Sequence, residues 1–163
     1  SNGNGSLMRI LPLAFVKNLS DEQIAQVSGI THAHSLSVEA CTVYVHAAQL
    51  ILDGFSLTEA LETASLSSEI FSYLADIGSK KRNEIRSTGY VKDSLEASFW
   101  CLLTTDNFRD ALIRAVNLGD DTDTIGAITG GMAGLVYGME SVPDSWMNAL
   151  RKKEIIERCL ASQ

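Results

Sequence analysis

The chain has 163 residues, 45% of them hydrophobic and 20% charged, with two prolines and a formal net charge of −7. That length and apolar content suit one packed domain and exclude a disordered chain. The acidic balance excludes broad nucleic-acid binding, because phosphate contacts need a basic footprint; an anionic ligand must be met by local backbone N–H groups, helix N-termini or a bound cation.

Cys41, Cys101 and Cys159 are odd in number and far apart. They form neither a CxxC site nor a disulfide framework, and read as small buried hydrophobes in a reducing, cytoplasmic setting. No segment reads as a signal peptide or a transmembrane helix. The uncharged run from Ile125 to Met139 is shorter than the ~18 to 20 residues a bilayer span needs.

The chain opens on "SNGNGSLMRI", a polar glycine-rich stretch with no initiator methionine and no element before it. Its glycines permit close backbone approach, and Asn4 and Ser6 offer side-chain hydrogen bonds, so it is either an anion cradle or an ordinary turn. It is not a Walker loop, for no Gly-Lys-Ser/Thr follows, and Met8 stands where a dinucleotide fingerprint needs its third glycine.

Beyond the loop, strand alternation is weak and helix-period apolar residues recur, which predicts an all-α fold. Ser20 with Gln23 forms a capping box before "DEQIAQVS". "THAHS" sets His32 and His34 just ahead of a long helix. Without further Cys or His partners, the expected roles are hydrogen bonding at the helix start or substrate contact rather than metal ligation. The long helix shows Leu36, Ala40, Val43, Tyr44, Ala47, Leu50 and Ile51 on one face and stops at Gly54. His46, within it, reads as a satisfied core histidine.

Ser56 with Glu59 predicts the next helix start, and "GSKKRNEIRSTG" a long loop. Tyr90 lies at the end of that loop, where it either stacks on a ligand base or packs. Asp93 with Glu96 is read as a start signal for "SLEASFWCLL", with Leu95, Phe99, Leu102 and Leu103 on one side. Phe108, Ala111, Leu112, Ala115 and Val116 then make an amphipathic helix ending at Gly119.

The last conspicuous run is "NLGDDTDTIGAITGGMAGLVYG". Gly126, Gly130, Gly134 and Gly138 fall every four residues, along one edge of a helix. Each costs about 1 kcal/mol relative to alanine, so this helix is expected to be central and pressed against a neighbour. At its mouth stand Asp120, Asp121 and Asp123 with the hydroxyls of Thr122 and Thr124. Such hard oxygen donors suit Mg²⁺, Mn²⁺ or Ca²⁺. The alternative is that the aspartates cap the helix and complement its dipole, for which one would suffice. An EF-hand is excluded, because counting from Asp121 puts Met132 at the twelfth position.

Together these stretches resemble the ADP-ribosylglycohydrolase family, which includes the dinitrogenase reductase-activating glycohydrolases. "GNGSLMR" resembles its GNGxxMR loop, "THAHS" its TH-x-x-S segment, "GYVKDSLEASFWCLL" its GYVxxTLEAALW helix, and the glycine run its GGDxDTxGAIxGAxxGAxxG signature. The resemblance covers most of Asn2 to Gly138. It implies an orthogonal multi-helix bundle, a centre of two Mg²⁺ or Mn²⁺ ions in the intact enzyme, and hydrolysis of the glycosidic bond at C1″ of ADP-ribose.

By the same resemblance, Asp121, Asp123 and Thr124 match metal ligands, while Asp120 stands where many members have glycine and is taken as supporting rather than ligating. Asn4, Gly5 and Ser6 match the loop that holds ribose and diphosphate, His32 a substrate-contacting histidine, and Tyr90 a position near the adenine. The family's other ligands, a Thr-Asp-Asp cluster, and its catalytic acidic residue have no counterpart in this sequence. Residues 1–163 are therefore expected to be the C-terminal part of a single domain, with the catalytic residue outside it and little turnover alone. The expected partner is an ADP-ribosylated substrate or ADP-ribose derivative, with no membrane involved. Two rivals stand beside this reading: a non-catalytic ADP-ribose-binding module, and a purely structural helical fragment whose acidic turn is a cap.

Overall fold

Capping signals place the first helices in the computed structural model, which describes residues 2–161. The Ser20 hydroxyl accepts from the Gln23 backbone N–H, the Gln23 side chain accepts from the Ser20 N–H, and α1 (Asp21–Gly29) begins. Ser56 and Glu59 open α3 (Leu57–Leu66) in the same way. Between them runs α2 (Ser35–Leu52), where His34 is the cap: its Nδ1 accepts from Leu36 N at 3.2 Å. Then follow α4 (Val91–Leu103), α5 (Phe108–Val116), α6 (Thr122–Tyr137), α7 (Asp144–Ala149) and α8 (Lys153–Ala161), with 3-10 turns such as Leu7–Arg9, Leu11–Phe15 and Ser72–Ser79 between elements. Among the described residues no strand forms, and a single antiparallel bridge joins Gly3 to Tyr90. The fold is all-α, as expected.

Helices α2, α4 and α6 meet in the centre. Leu36, Ala40, Val43, Tyr44 and Ala47 are buried as their spacing predicts, but so are Cys41, Val45 and Ala48 on other faces, because α1, α3, α4 and α6 surround this helix. By length and composition α2 could cross a membrane, yet half of it is buried against these neighbours. Tyr44 ties α2 to both other core helices: its hydroxyl donates to Ile128 O of α6 at 2.7 Å, and its ring meets Phe99 of α4 edge-on at 6.2 Å.

Two local readings need correction. Helix α4 begins at Val91 rather than at an Asp93–Glu96 box. Asp93 accepts from Thr88 Oγ1 at 2.7 Å, and Glu96 is buried, accepting from Tyr73 Oη at 2.6 Å and Lys80 Nζ at 3.3 Å. His46 is no core histidine: it lies partly exposed, its Nε2 2.8 Å from Asp21 Oδ1.

The edge of four glycines also divides. A Cβ on Gly126 or Gly130 would stand 3.4 Å from Val116 or 3.3 Å from Leu112, so these two admit α5 closely. Gly134 faces open space, and Gly138, with φ 81°, ends the helix. Within α6 the tightest position is Gly131, outside the repeat, where a Cβ would lie 2.6 Å from Leu11 Cδ2 and 3.3 Å from Tyr44 Oη.

Cys41 and Cys101 have no exposed surface, whereas Cys159 is exposed. Burial pushes the Cys41 thiol up and the Cys101 thiol up to about 12. Since the thiolate is the reactive form, the native chain is expected to release one equivalent with a thiol-exchange reagent, and three after denaturation. Two fast-reacting thiols in the native state would contradict this burial.

Candidate functional site

The opening loop lies along the turn that precedes α4. Val91 N donates to Asn2 O at 2.9 Å, Asn4 N donates to Gly89 O at 3.2 Å, and the Gly3–Tyr90 bridge lies between them. The start of α6 reaches the same turn, with Asp121 N donating to Ser87 O at 3.0 Å. Three segments distant in sequence are thereby joined, and Asn4 closes the junction. Its Nδ2 donates to Asp121 Oδ2 at 2.6 Å and to Ser94 Oγ at 2.8 Å.

This geometry bears on one of the two readings of Asp121, the helix cap. It occupies the N-cap position of α6 but makes no side-chain bond to the helix's own N–H groups. Its carboxylate goes instead to Asn4, 117 positions away. A helix cap is therefore not what this aspartate provides. Asp123 follows in the first turn with its side chain exposed, and Thr124 is buried, its Oγ1 3.9 Å from Met8 Sδ.

Asp120 has φ 59° and follows Gly119 with φ 87°, so two successive left-handed residues make the turn that swings the chain into α6. This explains why a glycine suits position 120. An L-residue there costs about 1 to 2 kcal/mol, with Asp among the better tolerated. Asp120→Gly is expected to keep or raise the melting temperature, while Asp120→Ala lowers stability by about 1 kcal/mol. Chemical denaturation of both variants checks this, and an Asp120→Ala protein more stable than wild type would contradict it.

On the other side of the loop, the His32 ring lies against Gly5 so closely that a Cβ there would be 2.6 Å from Cε1. The ring is held by Nδ1 at 2.9 Å from Thr31 Oγ1, and its backbone by Ser28, whose carbonyl accepts from His32 N at 2.8 Å. Arg9 ties the loop's exit to the end of α1, donating to Val27 O at 3.1 Å and Thr31 Oγ1 at 2.8 Å, where helix carbonyls lack partners of their own. Ser6 is fully buried and its hydroxyl accepts from the Cys41 thiol, so it shapes the loop from below. Tyr90, 40% exposed, flanks the loop on the α4 side.

The structure thus brings Asn4, Asp121 and Tyr90 together at one junction, with His32, from the connection between α1 and α2, seated against Gly5 of the same loop. Sequence reading missed Ser94, Ser87, Gly89 and Arg9. Arg9, Gly89 and Ser94 stand at specified positions of the GNGxxMR and GYVxxTLEAALW motifs, but their roles were not legible there, since each acts on a partner distant in sequence or through its backbone. Clefts elsewhere on the surface, such as the one lined by Thr104, Asp110 and Arg114, lack this convergence.

The carboxylates of Asp121 and Asp123 and the hydroxyl of Thr124 are hard oxygen donors, the right type for a small divalent cation. Their number does not fit: such ions take about six to eight oxygens, and the described residues contain no group of three or more His, Cys, Asp or Glu able to hold a metal.

A glycine loop and an acidic helix start are thus brought together on a core that is helical throughout the described residues. The family model for ADP-ribosylglycohydrolase matches residues 1–163, and the chain belongs to that family. It is similar to the ADP-ribosylarginine hydrolase Tri1 of Serratia proteamaculans, with 34% identity over 99% of this chain and 46% of that protein. It is 31% identical to the ADP-ribosyl-[dinitrogen reductase] glycohydrolase of Rhodospirillum rubrum, over 99% of this chain and 54% of that one. A solved structure titled "ADP-ribosylglycohydrolase-related protein complex" superimposes with a TM-score of 0.82 at 29% identity, covering 96% of this chain and 58% of the other. The chain spans about half the length of the curated relatives it matches.

Proposed function

We propose that the protein to which this chain belongs hydrolyses a glycosidic bond of ADP-ribose, releasing it from an ADP-ribosylated side chain or related compound. The observation that carries the reading is the 2.6 Å hydrogen bond from Asn4 to Asp121. It makes one site of two motifs that the family resemblance assigns separately to substrate and to metal.

In this reading the backbone N–H groups of Gly5 and Ser6 meet the diphosphate, the closest use of a glycine loop that an acidic protein has for an anion. His32, seated on Gly5, contacts the ribose, and Tyr90 offers its ring to the adenine. Asp121, Asp123 and Thr124 would contribute oxygen ligands to Mg²⁺ or Mn²⁺, the remaining ligands coming from outside the described residues. Bond cleavage through an oxocarbenium-like state needs a further carboxylate beside the anomeric carbon, a role no residue of this chain is given. A cytoplasmic setting fits the buried, unpaired thiols Cys41 and Cys101.

The partial donor set favours a second reading for the 163-residue chain taken alone, that it holds ADP-ribose without cleaving it. Both are tested together. The chain is incubated with an ADP-ribosylated arginine peptide, the acceptor named by the Tri1 relatives, with and without Mg²⁺, and free ADP-ribose is measured by chromatography. Calorimetry with ADP-ribose runs in parallel on wild type and Asp121→Ala. The expected result is binding weakened by Asp121→Ala, with little or no release. Brisk Mg²⁺-dependent release would overturn the incompleteness of the donor set, and no binding by wild type would overturn the ligand reading of the junction.

A further inference from the structure

Ser94 stands at the back of the junction, on the first turns of α4, with no exposed surface. Its hydroxyl has one hydrogen, and two carbonyls compete for it: Thr88 O at 3.0 Å and Tyr90 O at 3.2 Å. With its hydrogen committed to the backbone, the oxygen meets Asn4 only as an acceptor. On the other side of the same amide, the carboxylate of Asp121 is also an acceptor. A primary amide placed between two acceptors has one satisfactory orientation, with Nδ2 toward both and each of its two hydrogens used once. The distances agree, 2.8 Å to Ser94 Oγ and 2.6 Å to Asp121 Oδ2.

We propose that Ser94 is a positioning residue for the ligand site: it locks the Asn4 amide so that one N–H holds Asp121 Oδ2 and only Oδ1 of Asn4 is left to meet a ligand. The proposal rests on the ADP-ribose reading and deepens it. Because Oδ1 accepts and cannot donate, Asn4 selects a hydroxyl of the ligand's sugar and not a phosphate oxygen. The Asp121 carboxylate is also fixed in direction before any ligand or cation arrives, since the relay is complete in the chain itself. Ser94 touches no ligand; it acts through Asn4.

The test uses Ser94→Ala, Ser94→Cys and Ser94→Thr in the full chain. Cysteine keeps the size but is a weak acceptor, and threonine keeps the hydroxyl. Two readouts are taken: the side-chain amide pair of Asn4 in a proton–nitrogen correlation spectrum, assigned with Asn4→Ala, and ADP-ribose affinity by calorimetry. In wild type the Asn4 pair is expected to be shifted and protected from solvent exchange. Alanine and cysteine at position 94 should return it toward the values of a free amide and weaken ADP-ribose by about five- to tenfold, the worth of one aligned hydrogen bond. Threonine should restore both, which a merely structural role would not require. An unchanged Asn4 pair in Ser94→Cys overturns the relay. A wild type with a protected Asn4 pair and no ADP-ribose binding overturns the ligand reading instead, and with it the functional role given to Ser94.

Discussion

Gly131→Val is expected to lower the stability of the chain by about 3 kcal/mol, a melting-temperature loss of roughly 6 to 12 °C for a domain of this size. Two costs combine. A Cβ at this position already stands 2.6 Å from Leu11 Cδ2, so the branched side chain must displace the Leu11 side chain from its packing against α6. It would also stand 3.3 Å from Tyr44 Oη, the hydroxyl that donates to Ile128 O at 2.7 Å in the centre of the core. Pushing that ring aside leaves a buried hydroxyl without its acceptor, a penalty of about 1 to 3 kcal/mol. Against this, leaving glycine behind in a helix interior gains less than about 1 kcal/mol. Gly134→Ala is the internal control. It lies one turn further along the same helix, and an added methyl there would meet nothing within 4 Å, so only the propensity gain of about 1 kcal/mol remains and stability should rise. Denaturant unfolding of the two variants reads the contrast. Equal effects at the two positions would mean that α6 tolerates side chains alike along its length.

The same helix shows what a sequence can and cannot disclose. The four-residue spacing of glycines correctly marked α6 as a central, closely packed helix, because spacing is a local property and the cost of glycine is intrinsic. It did not say which glycines carry the packing, since that depends on where Leu11, Tyr44, Leu112 and Val116 arrive from other parts of the chain. Capping boxes at Ser20 and Ser56 were legible for the same local reason, their partners being three residues away. The Asp93–Glu96 pair has a similar pattern and fails, because Tyr73 and Lys80 draw Glu96 into the interior and Thr88 holds Asp93. At the site, composition and family resemblance singled out Asn4, Gly5, His32, Tyr90 and Asp121. The bonds that join them, and the hydroxyl of Ser94 behind them, span 90 to 117 positions and have no period to betray them.

Gly5→Ala is expected to weaken ADP-ribose binding by about tenfold or more while costing less than about 1 kcal/mol in stability. The backbone at Gly5 does not adopt the left-handed conformation, unlike Gly54, Gly119 and Gly138, so the substitution adds no dihedral strain and tests space alone. That space belongs to His32: an added methyl would lie 2.6, 3.3 and 3.5 Å from three atoms of its ring. The ring cannot slide aside and keep its 2.9 Å contact with Thr31, and it is only partly buried, so it swings outward with little loss of packing. What disappears, if the loop holds ADP-ribose as proposed, is the wall the ring would present to that ligand. A double-mutant cycle isolates this cause. If the methyl acts through the ring, Gly5→Ala should add nothing to His32→Ala, because the clash has gone with the imidazole. If the methyl instead obstructs the ligand's diphosphate directly, the two losses should add. Wild-type affinity in Gly5→Ala alone would sink the pairing of Gly5 and His32 as a functional unit, and the histidine would then be one more partner of Thr31 at the end of α1.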